Sequence, residues 1–165
     1  MTAVWWVAGL GALALSGLAL LWAGPKRRRR RLAAAPFPDA WEAVLRSNAP
    51  LCGLLPADLG RKLRGDIHIF LAEKHFEGCG GLEITDEVRV TIAALACLLI
   101  VNRESGYYPR CSSILVYPTS FQVREEWAED SLYAEAEEVR DGESWDTGAV
   151  ILAWDQVKRE SRSLR

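Results

Sequence analysis

The hydrophobic pattern divides this chain into an apolar opening, a basic block and a body of alternating helical and strand-like periodicity. Ala3 to Ala23, "AVWWVAGLGALALSGLALLWA", carries no charge. At the helical rise it spans about 30 Å, the thickness of a bilayer core. Trp5, Trp6 and Trp22 stand near its ends, where interfacial aromatics belong. Gly24-Pro25 closes the run and Lys26 to Arg31, "KRRRRR", follows. The pattern predicts a single transmembrane anchor over 1–24, with membrane contact through residues 3–23 and the remaining chain held on the cytoplasmic side by the cations. Two rival readings fit less well. A cleaved signal peptide carries its charge before the apolar run, and the cleavage-like "LAAAP" lies beyond six cations. A buried core helix fits less well, because no face of the run is polar over a length that matches a bilayer.

Residues 25–38 read as a basic juxtamembrane linker that ends in "LAAAPFP". The body, 39–165, then opens with Asp39 as a candidate cap for "AWEAVLRSN", with Trp41, Val44 and Leu45 on one face and a stop at Asn48-Ala49-Pro50. Leu59, Leu63, Ile67, Phe70 and Leu71 recur at helical spacing and predict an amphipathic helix over Pro56 to Lys74. Gly78-Cys79-Gly80-Gly81 reads as a tight turn that does not follow a strand. Thr85 with Asp86 and Glu87 makes an acidic helix start. Val88 to Val101, broken only by Arg89 and Thr91, is too short for a span and predicts a central buried helix.

Ser113 to Tyr117 is a β-branched and apolar run stopped by Pro118, and Phe121-Gln122-Val123 predicts a further strand. Helix propensity favours a helix in the acidic stretch "EEWAEDSLYAEAEEVR". Ala149 to Trp154 reads as a buried strand, and Asp155 as the start of a charged helix. Together these elements predict an α/β (α+β) fold.

Charge changes the picture in one respect. The net charge is −2, but with the six-residue basic block set aside, 14 of the 20 Lys and Arg remain against 22 Asp and Glu. The body is acidic. A nucleic-acid-binding domain would spread its basic residues over a folded face, so no nucleic-acid partner is expected. The basic block itself fits topology and attraction to anionic lipid.

Candidate chemistry is sparse. Cys52, Cys79, Cys97 and Cys111 form no C-x-x-C pair, and Cys97 lies in the apolar run, so reduced thiols are expected rather than two disulfides. The two histidines, His68 and His75, stand two helical turns apart, too far to share a metal unaided. His75-x-Glu77-x-Cys79 is interrupted by glycines. No His-Glu-x-x-His occurs, nor a Gly-x-Ser-x-Gly elbow, nor a dinucleotide fingerprint after a strand. No catalytic, cofactor-binding or metal residue is therefore assigned within 1–165.

Three ordered blocks nevertheless carry a resemblance. "FLAEKHFEGCGGLEITDEVRVTIAALACLL", "YYPRCSSILVYPTSF" and "GESWDTGAVILAWDQVKR" are similar to the amino-terminal half of the MtfA-like zinc-dependent peptidases. The resemblance implies a zincin-like metallopeptidase domain. In that family the strand resembling "GAVILAWDQV" leads shortly to a helix bearing His-Glu-x-x-His, with a further glutamate downstream. Neither falls within Met1 to Arg165.

The expectation is thus an incomplete domain over 39–165: a truncated, membrane-anchored family member, inactive by itself. Its relatives hydrolyse peptide bonds with a zinc-activated water. Zinc is implied for the full-length family protein and none for this chain. The resemblance also favours a hairpin-like excursion over a helix for the acidic stretch, and it implies a peptide or protein substrate. The competing expectation is a non-catalytic binding module, anchored in the cell inner membrane, for a cytoplasmic protein such as a transcriptional repressor. The apolar strand Ala149 to Trp154 could offer an edge to an extended peptide by adding a strand, and the sequence leaves open whether it lies at an edge.

Overall fold

A computed structural model of the chain describes residues 24–103, 106–119, 121–122, 139–140, 142–144 and 148–163. The expected anchor, residues 3–23, lies outside the described residues. Among the described residues no helix is long and apolar enough to cross a membrane.

The helices form where capping and periodicity place them. Helix α1 covers 24–33 and α2 covers Asp39–Asn48. A 3-10 turn, Pro50–Leu54, leads to α3, Ala57–Glu73. Helix α4, Asp86–Ile100, starts at Thr85, whose hydroxyl accepts a hydrogen bond from the Val88 amide. Helix α5 is Trp154–Ser163. Asp39 does not cap α2. Pro38 occupies that place with extended backbone, and Asp39 is the first helical residue, where its charge still complements the helix dipole.

Among the described residues six strands accompany the helices. They are β1 (His75–Gly78), β2 (Ser113–Tyr117), β3 (Phe121–Gln122), β4 (Val139–Arg140), β5 (Gly142–Ser144) and β6 (Ala149–Ala153). One sheet runs in the order β1-β2-β6-β5. Its first three strands are parallel, with His75 opposite Ser113 and Ile114 opposite Val150, and β5 is antiparallel to β6. Parallel neighbours need a crossover, and α4 supplies it between β1 and β2. The fold is α/β.

Strand β1 corrects the sequence reading in two ways. It was not expected, because most of its four residues are exposed and no alternation marks them. The glycine turn therefore does follow a strand. It remains a turn: Gly80 and Gly81 take φ of 59° and 81°, and a Cβ on Gly78 would lie 1.9 Å from the Leu82 carbonyl oxygen.

The acidic stretch lies largely outside the described residues. Where it is described, the helix expectation fails. Val139 and Arg140 pair antiparallel with Gln122 and Phe121, so β3 and β4 close the two ends of an excursion.

The core lies between the helices and the sheet. Leu63, Ile67 and Phe70 of α3 meet Val90, Ala93, Ala94 and Cys97 of α4 and Ile114 and Val116 of β2. Burying each large aliphatic side chain contributes about 1.5–3 kcal/mol.

The basic segment joins this body. Arg29 makes a two-pronged ion pair with Glu73, at 2.7 and 2.9 Å, and Arg28 donates to the Ala72 carbonyl. Ala33 packs against Gly65, where a Cβ would come within 3.1 Å of it. Phe37 sits edge-on to Trp41 and His68. Much of the segment read as a linker is thus docked on α3.

Candidate functional site

The β6–α5 unit, Ala149–Ala153 and Trp154–Ser163, carries the last of the three blocks. Its entry is set by Gly148, at φ 83°. The Gly148 carbonyl accepts from the amides of Ser112 and Ser113 and from the Ser112 hydroxyl, which ties the start of β6 to the start of β2. β6 lies between β2 and β5 and is not an edge. The question that the sequence left open, whether this strand offers a free edge to a peptide, is thereby answered in the negative. The described edges of the sheet are β1 and β5.

Helix α5 is fixed by a polar hub. Asn48, wholly buried on α2, donates to Glu87 (3.0 Å) and Thr91 (3.1 Å) of α4 and accepts from Arg162 (3.0 Å) of α5. Lys158 of α5 pairs with the same Glu87 at 2.8 Å. These two partners, Lys158 first and Asn48 second, hold the Glu87 carboxyl below its ordinary range.

Beside this unit runs an apolar groove of about 410 Å³. Its lining includes Ile92, Leu95 and Leu99 of α4, Val150 and Leu152 of β6, and Val157 of α5. Leu99 is 75% exposed. The polar groups at its margin are already engaged. The Tyr108 hydroxyl donates to the Ala96 carbonyl at 2.8 Å, the Cys111 thiol reaches the Ser113 carbonyl, and Glu160 has its own interaction. The groove is apolar without being a reactive centre.

Lys74 braces the loop beside it. Its ammonium donates to the carbonyls of Tyr108 and Cys111, and burial lowers its pKa.

The histidines do not come together. His68 is wedged between Phe37 and Trp41, with ring centroids 5.5 and 5.1 Å away. Its Nε2 is buried without a partner, and burial, partly offset by a hydrogen bond to the Pro36 backbone, lowers its pKa. His75 is exposed at the start of β1.

All four cysteines are free. Burial raises the Cys97 thiol strongly and the Cys52 thiol to about 11, the opposite of nucleophile activation. Among the described residues no group of three His, Cys, Asp or Glu could hold a metal ion. These residues do not fit zinc, and no catalytic step is derived through it.

Asn48, Lys74 and Tyr108 carry structural weight that the sequence did not signal. Asn48 looked like a helix terminator. Lys74 and Tyr108, the latter at φ 48°, belong to blocks quoted for the resemblance, and Asn48 does not.

Fold and groove together define an α/β scaffold with a helix-flanked apolar groove and no metal cluster among its described residues. The chain belongs to the glucose-regulated metallo-peptidase M90 family, whose profile matches residues 24–165. It is 41% identical over 145 residues to the uncharacterized protein slr2042 of Synechocystis, covering 85% of this chain and 53% of that protein. It is 32% identical over 121 residues to the Mlc titration factor A of Pectobacterium atrosepticum (73% and 45%) and 31% over 135 residues to that of Cronobacter sakazakii (81% and 49%). The resemblance to MtfA-like peptidases therefore holds. The chain spans about half the length of the curated relatives it matches.

Proposed function

We propose that this chain is the scaffold half of a membrane-anchored, zinc-dependent peptidase, and that it hydrolyses nothing by itself. One observation carries the proposal: residues 24–165 match a metallo-peptidase family, yet the chain's two histidines lie apart on α3 and β1. A zinc peptidase needs a metal-activated water and a base, and in this reading their ligands come from the half of the domain outside the match.

Residues 1–24 then form the anchor, 25–38 connect it, and 39–165 make the amino-terminal part of the domain. The anchor lies in the cell inner membrane and the domain faces the cytoplasm, supported by the apolar run and the cations after it. The substrate is a peptide or protein.

The test is zinc content and turnover. The 165-residue chain, stripped and reloaded, is expected to retain no tightly bound zinc and to leave casein intact. A polypeptide extended by the downstream coding sequence is expected to bind zinc tightly and to cleave casein in a chelator-sensitive way. One tight zinc per molecule in the 165-residue chain, with chelator-sensitive cleavage, overturns the reading. So does the absence of His-Glu-x-x-His from every downstream frame.

A second reading is favoured by the groove: a non-catalytic module binding a cytoplasmic protein. The relatives named Mlc titration factor A make a transcriptional repressor the first candidate. Capture of a purified repressor by the 165-residue chain supports it; no retention at micromolar concentration counts against it.

A further inference from the structure

We infer that the pocket between α1, α3 and the loop after α4 binds the phosphate of an anionic phospholipid headgroup. The inference rests on the anchor reading above and deepens it: the membrane is met at one defined site as well as by a run of exposed cations.

The pocket is assembled from three stretches that are far apart in sequence. Arg29 comes from α1, Lys62 and Asp66 from α3, and Arg103 and Tyr107 from the loop after α4. They line a cavity of about 280 Å³. Asp66 is buried and organises the others. One of its carboxylate oxygens accepts from the Lys62 ammonium at 2.9 Å, and the other accepts from the Tyr107 hydroxyl at 2.8 Å. Tyr107 in turn holds the Arg29 guanidinium over its ring, 5.0 Å from the centroid.

Donor capacity is left over. An ammonium has three N–H bonds and a guanidinium five. Lys62 directs one to Asp66, and its side chain is 45% exposed. Arg29 engages Glu73 through Nε and Nη2 and leaves Nη1 out of that pair. Arg103 is exposed, and among the described residues its guanidinium has no hydrogen-bond or ion-pair partner. Three cations thus line the cavity against one carboxylate whose two oxygens already accept hydrogen bonds. Such a set accepts an anion, and the guanidinium fork matches phosphate oxygens in particular.

Size and place select the source. The cavity falls below the roughly 300–1,000 Å³ of drug-sized sites, which suits a single compact headgroup. The apolar run ends at Ala23 and Arg29 stands six residues on, about 9 Å along the helical rise. Lipid headgroups occupy roughly the first 5–8 Å beyond the hydrocarbon core, within reach of an arginine side chain at that height. The Arg29–Glu73 pair and the Ala33–Gly65 contact fix α1 on α3, so the whole pocket is carried at the level of the phosphates. A basic pocket at that level on the cytoplasmic side is a headgroup site.

The experiment uses the full 165-residue chain in a neutral detergent. It is titrated separately with phosphatidylglycerol, phosphatidylcholine and inorganic phosphate, and retention is read by native mass spectrometry. One phosphatidylglycerol per chain is expected, held at least ~tenfold more tightly than phosphatidylcholine, whose choline cation opposes the site. Arg103→Gln is expected to weaken retention at least ~tenfold through loss of a charge-assisted hydrogen bond, with the chain's own melting unchanged because the side chain is exposed. Arg30→Gln removes the same charge from an exposed position of α1 outside the pocket and should stay within ~threefold of wild type. Gly106→Cys keeps every cation and adds a thiol on the lining, where a Cβ meets only Pro109 at 3.8 Å. Bound lipid is expected to slow its alkylation at least ~tenfold.

Equal losses in Arg30→Gln and Arg103→Gln overturn the inference, because diffuse charge then suffices. Equal retention of the two lipids overturns it, and so does a Gly106→Cys thiol that stays reactive with lipid bound. Inorganic phosphate retained without any lipid also overturns it, the anion then being a soluble one, as does retention of nothing. A chain that keeps the lipid yet is released from membranes by alkaline carbonate retains the pocket and sinks the anchor. One that resists carbonate and keeps no lipid does the reverse.

Discussion

Asn48 and Arg162, 114 residues apart in sequence, are joined by a 3.0 Å hydrogen bond from the guanidinium to the buried amide oxygen. With Glu87 and Thr91 on the amide nitrogen, that one side chain holds α2, α4 and α5 in register. It sets where α5 points, and so where the chain goes next. Removing the amide strands the groups it satisfied. Asn48→Ala is expected to destabilise the protein by about 2–4 kcal/mol, read as a lower urea midpoint, with earlier amide exchange across α5. A loss below about 0.5 kcal/mol would mean that water replaces the hub.

His68 makes stability depend on pH. Its folded pKa lies below the ordinary histidine value because burial between Phe37 and Trp41 disfavours the cation. The unfolded chain therefore takes the proton first. Stability is fully present above the unfolded pKa, about 6.5, and falls as pH drops through it toward the lower folded value. His68→Phe is expected to flatten that dependence between about pH 7 and 5. A wild-type protein that gains stability on acidification relative to the variant contradicts the assignment and points to a cation–π gain at Trp41.

Gly148 tests the entry to β6. At φ 83°, an added Cβ would come 2.7 Å from the Arg110 carbonyl oxygen. Gly148→Ala is expected to cost about 2–4 kcal/mol from backbone strain and the clash. Gly53, with nothing within 4 Å of its added Cβ, is the contrast. Its alanine variant should shift stability by no more than about 0.5 kcal/mol. Equal effects at the two sites would show that the Gly148 backbone relaxes freely.

Lys74 ties the end of α3 to the loop before β2. Lys74→Met keeps the aliphatic stem and removes the donors to the Tyr108 and Cys111 carbonyls. A loss of about 2–3 kcal/mol is expected, together with faster exchange at the β2 amides. Unchanged protection of β2 would mean that the loop is held by the Tyr108 hydroxyl bond to Ala96.

The anchor proposal is checked in cells. The chain is expected to resist alkaline carbonate extraction and to survive protease added to intact spheroplasts, because the body faces inward. Replacing Lys26 to Arg31 with neutral residues should scramble that orientation. Release by carbonate ends the proposal.

Much of this protein was written locally in its sequence. Thr85 before two acids starts α4 because the cap needs only the Val88 amide a turn away. The apolar spacing from Leu59 to Leu71 makes α3, and the short runs at Ser113 and Ala149 make β2 and β6, because period and chain breakers act within a few residues. The kinship with a metallo-peptidase family could also be read directly, from three blocks in order.

Tertiary structure decided the rest, because the relevant partners are far apart along the chain. β1 is a strand only because His75 to Gly78 find β2 beside them. The basic segment docks because Glu73 and His68 stand where Arg29 and Phe37 reach. In α4 every position looked buried, since an all-apolar run has no periodicity with which to name its faces. Only the packing of α2, α3 and α5 around it separates Val90 in the core from Leu99 in the open.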